Sequence, residues 1–215
     1  ERIALVGPTG AGKSTLAKLM SRLYDPTTGF VTYGGVDLRQ GTHASLRERI
    51  VVVPQEGFLF NGTIRENVRL ARITASDAEV EAALERLGVL AHFERLPAGL
   101  DTEVRERGTR LSAGERQLVA LGRAALIDPA VLVLDEATSN LDPGTEAEVE
   151  AALERLMQGR TTIVVAHRLS TVQRADRIVV VDQARIAEVG THNELVTLGG
   201  KYAALARAWE KSHSV

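Results

Sequence analysis

The stretch GPTGAGKS at residues 7–14 fits the spacing G-x-x-x-x-G-K-[ST]. Glycines at 7, 10 and 12 let the backbone curl until several N–H groups face one point, and a helix starting there adds positive potential. That chemistry suits a polyphosphate. Lys13 would reach its outer phosphates, and the Ser14 hydroxyl would ligate Mg²⁺. Gly7, Pro8, Thr9, Gly10, Ala11, Gly12, Lys13, Ser14 and Thr15 are the expected contacts. The motif requires a strand before it and a helix after it. Arg2–Val6 reads as a short buried strand, and Leu16, Leu19, Met20 and Leu23 come next at helical spacing. The dinucleotide fingerprint G-x-G-x-x-G carries no Lys-Ser pair and does not fit.

Residues 131–142, VLVLDEATSNLD, run four apolar residues into two adjacent carboxylates. An unbroken apolar run reads as a strand covered on both faces. Two acids side by side at its end repel, and burying either without a partner is costly. Mg²⁺ held by Ser14 and phosphate would supply a partner. Asp135 is suited to it through water, because Mg²⁺ dehydrates reluctantly. Glu136, one residue on and pointed differently, would polarise a water for in-line attack on a γ-phosphorus. The plainer alternative is that either acid simply caps the next element of the chain.

These groups need a frame. The chain has 215 residues, 44% of them hydrophobic, enough for one large domain or a core with an insertion. The net charge of −2 gives no basic excess for nucleic acid, and with no cysteine there are neither disulfides nor thiolate metal sites. ERIALVG has no signal-peptide pattern, and the longest aliphatic runs, such as Ile50–Val53 and Ile178–Val181, are strand-sized. Asp25-Pro26 is expected to stop the first helix. Phe30–Tyr33 with Gly34-Gly35 predicts a hairpin, and Pro54 ends a strand at Ile50–Val53. Strands resume at Val131–Leu134, Thr161–Ala166 and Arg177–Asp182. From about Thr63 to Asp128 the pattern is helical, with no convincing strand. Ser76 with Glu79, and Thr191 with Glu194, make capping boxes, and Gly88 closes a helix. The decapeptide AEVEAALERL occurs at 78–87 and again at 147–156, one amphipathic recipe used twice. Alternating strands and helices predict an α/β domain with a mostly parallel sheet. Residues 1–60 and 129–215 form its core, and 61–128 an inserted helical subdomain.

Residues 111–117, LSAGERQ, pair Ser112 with Glu115 in a capping box, and on spacing alone that is a complete account. Yet Ala113 and Gly114 leave the helix start bare, and a bare start with a free hydroxyl also suits a phosphate. LSAGERQ, shortly before VLVLDE, resembles the signature motif of the ATP-binding-cassette (ABC) ATPases. Gln55, after the second core strand, resembles the family's glutamine loop. SNLD at 139–142 resembles its D-loop, and His167 after TTIVVA its switch histidine. Singly, Gln55 is an unremarkable loop residue and His167 an ordinary strand-end histidine. Together the motifs fall in the family's order along essentially the whole chain.

The resemblance implies a RecA-like P-loop core with a helical subdomain, binding ATP and Mg²⁺. It implies head-to-tail pairing with a second ABC ATPase domain, identical or different. Ser112, Ala113, Gly114 and Glu115 would then face the partner's ATP. His167 would contact the γ-phosphate in cis and order the attacking water. Gln55 would bind Mg²⁺ or water and report occupancy, and Asp142 would sit near the dimer seam. Catalysis would rest on Glu136, His167 and Lys13, and the metal on Ser14, Gln55 and Asp135. FLFNGTIRENV at 58–68 and TEVRERG at 102–108 resemble exporter segments that meet the transmembrane domains; by themselves they read as surface loops. The implied function is the ATP-hydrolysing motor of an exporter at the cytoplasmic face of the cell membrane. A non-hydrolysing nucleotide-gated module is the first alternative, and intact Glu136 and His167 stand against it. A chromosome-maintenance ATPase is the second, and the absence of sustained heptads stands against that.

Two departures from the family pattern stand out. The usual signature is LSGGQ; here Ala113 adds a methyl and Glu115 a negative charge. Either the chain is the competent half of an asymmetric pair, or the change is a harmless variant. Six residues precede Gly7, where the family has a β-subdomain with an adenine-stacking aromatic. An excised fragment is therefore expected.

Overall fold

The computed structural model describes residues 1–54, 57–105, 108, 110–135, 143–166 and 168–212. The strands are β1 (Arg2–Val6), β2 (Thr32–Tyr33), β3 (Val36–Asp37), β4 (Ile50–Val53), β5 (Gly62–Thr63), β6 (Glu103–Val104), β7 (Val131–Asp135), β8 (Thr161–Val165), β9 (Arg177–Asp182) and β10 (Arg185–Gly190). The α-helices are α1 (Lys13–Met20), α2 (His43–Arg47), α3 (Ile64–Arg69), α4 (Asp77–Leu87), α5 (Leu90–Glu94), α6 (Ala113–Ile127), α7 (Pro143–Met157), α8 (Leu169–Gln173), α9 (His192–Leu198) and α10 (Lys201–Ser212). Contacts divide the chain into two compact units. One is Glu1–Val52, Ala130–Glu136 and Arg160–Val215; the other is Val53–Pro129 and Ala137–Gly159.

The sheet of the first unit runs in the order β10-β9-β1-β8-β7-β4. Strands β9, β1, β8 and β7 are mutually parallel, and β10 is antiparallel on β9. This is the α/β, mostly parallel architecture expected from the alternation of strands and helices. Register fixes where the chemistry gathers. Leu5 stands beside Val165, and Val165 beside Asp135. Strands β1, β8 and β7 therefore finish at one edge of the sheet, where parallel α/β folds place their ligands. Below that edge Leu5, Ala17, Leu46, Ile50, Val133 and Val165 share a core cluster.

Two expectations in this unit need correction. Helix α1 ends at Met20, before Asp25-Pro26. Ser21 turns its hydroxyl back to Ala17 O at 2.9 Å, and Arg22 takes a left-handed φ of 52°. That turn lets the Arg22 guanidinium donate to Leu38 O and Gly41 O, both at 2.7 Å. Leu23, which the helical spacing puts on the apolar face, is 58% exposed. Strand β10 has no counterpart among the expected elements. Its hairpin with β9 turns through Gln183 and Ala184 at φ 47° and 58°. Neither residue is the Asn or Gly that marks such a turn. The hairpin predicted around Gly34-Gly35 is present as β2–β3.

In the second unit the repeated decapeptide forms two helices that pack on each other, α4 and α7. Equivalent positions are buried in both: Val80 and Val149, Ala83 and Ala152, Leu87 and Leu156. The arginine of each copy closes the C-terminal end of a neighbouring helix. Arg86 donates to Ala125 O at 2.8 Å, and Arg155 to Leu87 O at 2.6 Å. Cations at such ends satisfy free carbonyls and the helix dipole. The predicted capping boxes of Ser76 with Glu79 here and of Thr191 with Glu194 in the first unit are formed, and Gly88 sits at φ 72° as the C-cap of α4. The helical stretch does contain strands: β5 and β6, two residues each, pair antiparallel. Such short strands leave no alternation to read. Helix α7 belongs to this unit, which is therefore larger than residues 61–128. No helix among the described residues is long and apolar enough to cross a membrane.

Candidate active site

The loop between β1 and α1 is shaped by what its glycines lack. Gly7 lies at φ 147°, and a Cβ there would come within 2.0 Å of Val181 O. Gly12 lies at φ 107°, and a Cβ there would meet Ala184 Cα at 3.5 Å. Ala184 N–H donates to Ala11 O at 2.9 Å. The β9–β10 turn, absent from the sequence-based expectations, thus forms the backing of the loop. Gly10, at φ 81°, faces open space. Pro8, Thr9 and Gly10 are exposed, Ala11 is buried, and Ser14 and Thr15 are exposed on the first turn of α1.

Gly12 is the N-cap of α1 and offers no side-chain cap. The first intrahelical bond runs from Leu16 N–H to Gly12 O at 2.9 Å. The N–H groups of Lys13, Ser14 and Thr15 therefore have no intrahelical acceptor. Lys13 itself is 6% exposed. Its ammonium donates to Gly7 O at 2.8 Å and Pro8 O at 3.1 Å. Burial pushes its pKa below the usual lysine value, while the charge of Asp135 pulls the other way. Asp135, the half-buried last residue of β7, is thus within electrostatic reach of Lys13.

This set fits a polyphosphate. A buried ammonium, free first-turn N–H groups and a Gly-lined loop are donors without an anion of their own. It also fits a hard divalent cation. Among the described residues no three acidic or histidine side chains cluster as a metal cage. Mg²⁺ needs only one or two protein ligands beside phosphate oxygens and water, and Ser14 and Asp135 can supply them.

At the second candidate anion site the expected capping box is formed. Ser112 caps α6, its Oγ accepting from Glu115 N–H at 3.1 Å, while Glu115 Oε2 accepts from Ser112 N–H at 2.7 Å. The reciprocal cap satisfies the Ser112 and Glu115 N–H groups and leaves those of Ala113 and Gly114 without an intrahelical acceptor. Ser112 retains its O–H proton as a donor. Ala113 is exposed and Gly114 buried, and a Cβ on Gly114 would lie 1.8 Å from Thr145 Cγ2. Close approach of α7 accounts for that glycine. Gln55, Glu136, Asp142 and His167 lie outside the described residues.

The model of the ABC transporter family matches residues 1–139. The chain belongs to the ABC transporter family. It is 51% identical over 208 residues to the beta-(1→2)glucan export ATP-binding/permease protein NdvA of Bradyrhizobium diazoefficiens, covering 97% of this chain and 34% of that protein. It is 48% identical over 203 residues to the mouse ATP-binding cassette sub-family B member 6, covering 94% of this chain and 24% of the relative. A solved bacterial Atm1-family ABC exporter with ATP bound superposes with a TM-score of 0.88 at 44% identity, over all of this chain and 37% of that one. The chain thus spans about a third of the length of the curated relatives it matches first. Sequence reasoning placed the glycine loop between a strand and a helix and missed the Val181–Ala184 backbone behind it. Nothing in the residues DQAR at 182–185 marks them as partners of Gly7 and Gly12.

Proposed function

We propose that this ABC domain is the ATP-binding and ATP-hydrolysing motor of an exporter. The observation that carries the reading is the meeting of a buried Lys13, an uncapped α1 and Asp135 at one edge of the parallel sheet. The ATP-bound Atm1-family exporter and the export protein NdvA are similar over nearly the whole chain, which supports it.

In this reading the N–H groups of the loop and of the first turn of α1 hold the phosphates. Lys13 exchanges its two carbonyl acceptors for phosphate oxygens, which are charged and so bind it more strongly. Ser14 and Asp135 would hold Mg²⁺, with Gln55 as a further ligand. When bound, the metal neutralises charge developing on the phosphate oxygens. Glu136 positions a water and accepts its proton, and His167 hydrogen-bonds near the transferred phosphate. Ser112 of a second domain, paired head to tail, donates its free O–H to the same phosphate, so neutralisation comes from two chains. Asp142 lies at that seam. Transmembrane domains at the cytoplasmic face of a membrane use the resulting closure to move substrate outward.

The test is Mg-ATP turnover by the wild type and by Glu136→Gln. The variant should keep ATP affinity and lose about a hundredfold or more in turnover. Undiminished hydrolysis would remove Glu136 from the mechanism.

A further inference from the structure

Phe58 and Phe60 stand out on the second unit, 53% and 56% exposed. Their rings meet edge to face with centroids 5.1 Å apart. Leu59 between them is fully buried. Beneath the rings lies a polar network. Asn67 is 1% exposed. Its Oδ1 accepts from Phe60 N–H at 2.9 Å, and its Nδ2 donates to Phe60 O and Thr63 O, each at 2.9 Å. Arg123, on α6, completes it. Nε donates to Asn67 O at 2.8 Å, Nη2 to Asn67 Oδ1 at 2.8 Å, and Nη1 to Phe58 O at 2.6 Å.

Among the described residues every acceptor of this guanidinium is a neutral oxygen. Burial draws its pKa below the usual arginine value, and among the described residues no carboxylate opposes that shift. A half-buried cation that meets only neutral oxygens among the described residues costs stability to desolvate. Exposing two adjacent aromatic rings runs against folding stability as well. Each feature makes sense if the segment must be presented rigidly to something outside it. The planar fork of arginine can hold two separate carbonyls and an amide in one geometry, which lysine cannot. Gly57 fixes the entry to the segment, since a Cβ there would lie 2.4 Å from Arg116 O, also on α6.

We infer that Arg123 is a positioning residue that ties the Phe58–Phe60 segment to helix α6, so that the two aromatic rings and the signature helix move as one body. Ser112 opens the same helix, ~16 Å away at 1.5 Å per residue. What meets the rings, the transmembrane domains, rests on the proposed exporter reading; the tie itself rests on the hydrogen bonds.

Hydrogen–deuterium exchange of the chain tests the tie without that reading. Arg123→Met keeps the aliphatic stem and removes the fork. It should speed exchange of the amides at 58–63 about tenfold or more while those at 118–125 keep their wild-type rates. Arg123→Lys should fall between, because one ammonium holds one carbonyl. Unchanged exchange at 58–63, or acceleration spread evenly through the unit, would overturn the inference. In the membrane protein that carries this domain, Arg123→Met should abolish most of the transport-coupled rise in ATP turnover. Its uncoupled kcat and KM for ATP should stay within about twofold of wild type. Intact coupling in Arg123→Met would also overturn it. A wild type that never hydrolyses ATP would defeat the exporter reading instead, leaving exchange to decide the tie.

Discussion

Helices α1 and α6 each carry a serine at the start, Ser14 in the first turn of one and Ser112 as the N-cap of the other, yet they are capped in opposite ways. At α1 the N-cap is Gly12, with no side chain, and the first-turn N–H groups stay open beside a buried ammonium. At α6 Ser112 and Glu115 satisfy each other's N–H groups, which leaves those of Ala113 and Gly114, and the Glu115 carboxylate sits at the helix start. The dipole is the same at both ends. The cap decides how much of the first turn stays open: the N–H groups of Lys13, Ser14 and Thr15 at α1, and only those of Ala113 and Gly114, beside the Ser112 hydroxyl, at α6.

Breaking α1 should have the largest effect. Gly7→Ala drives a methyl into Val181 O at a φ that disfavours any side chain. The loop must leave its backing, and ATP affinity should fall by about a hundredfold or more, measured by titration. Next comes Gly114→Ala, where the new Cβ meets Thr145 Cγ2 at 1.8 Å. Overpacking of this kind should lower stability by about 1–3 kcal/mol in denaturant unfolding. Thr145→Ser, which removes the clashing methyl, should recover much of that loss in the double mutant. ATP affinity at α1 should stay at the wild-type level, which separates the two helix starts.

The smallest effects come from the cap itself. Ser112→Ala should cost about 0.5–2 kcal/mol of stability. Glu115→Gln preserves the capping box, so stability should change by less than about 0.5 kcal/mol. It removes a charge from the helix start, so hydrolysis by a paired domain should rise. A fall in that turnover would show that Glu115 assists the partner's phosphate site.

Much of this contrast is legible in the residues. GPTGAGKS announces both the loop and its helix, because glycine spacing and a Lys-Ser pair are local features. The end of β7 is equally plain, since VLVLD is apolar up to its acid. The illegible parts depend on distant backbone. Val181 and Ala184 reach the loop through a turn built from Gln183 and Ala184, whose types give no warning of positive φ. The cap of α6 is written as S-x-x-E, and the hydrogen bonds form as that spacing predicts. Arg123 and Asn67 are invisible for a different reason. Sequence places a charge in a helix but cannot show that its partners are carbonyls 56 and 65 residues away.

The most direct measurement is a titration of the chain with Mg-ATP beside Lys13→Ala. If the donors at the start of α1 hold the phosphates, the wild type saturates. The variant should then bind about ten- to a hundredfold more weakly, as loss of a charge-assisted hydrogen bond requires. Equal affinity in the two proteins, or no saturable binding by the wild type, would contradict the account.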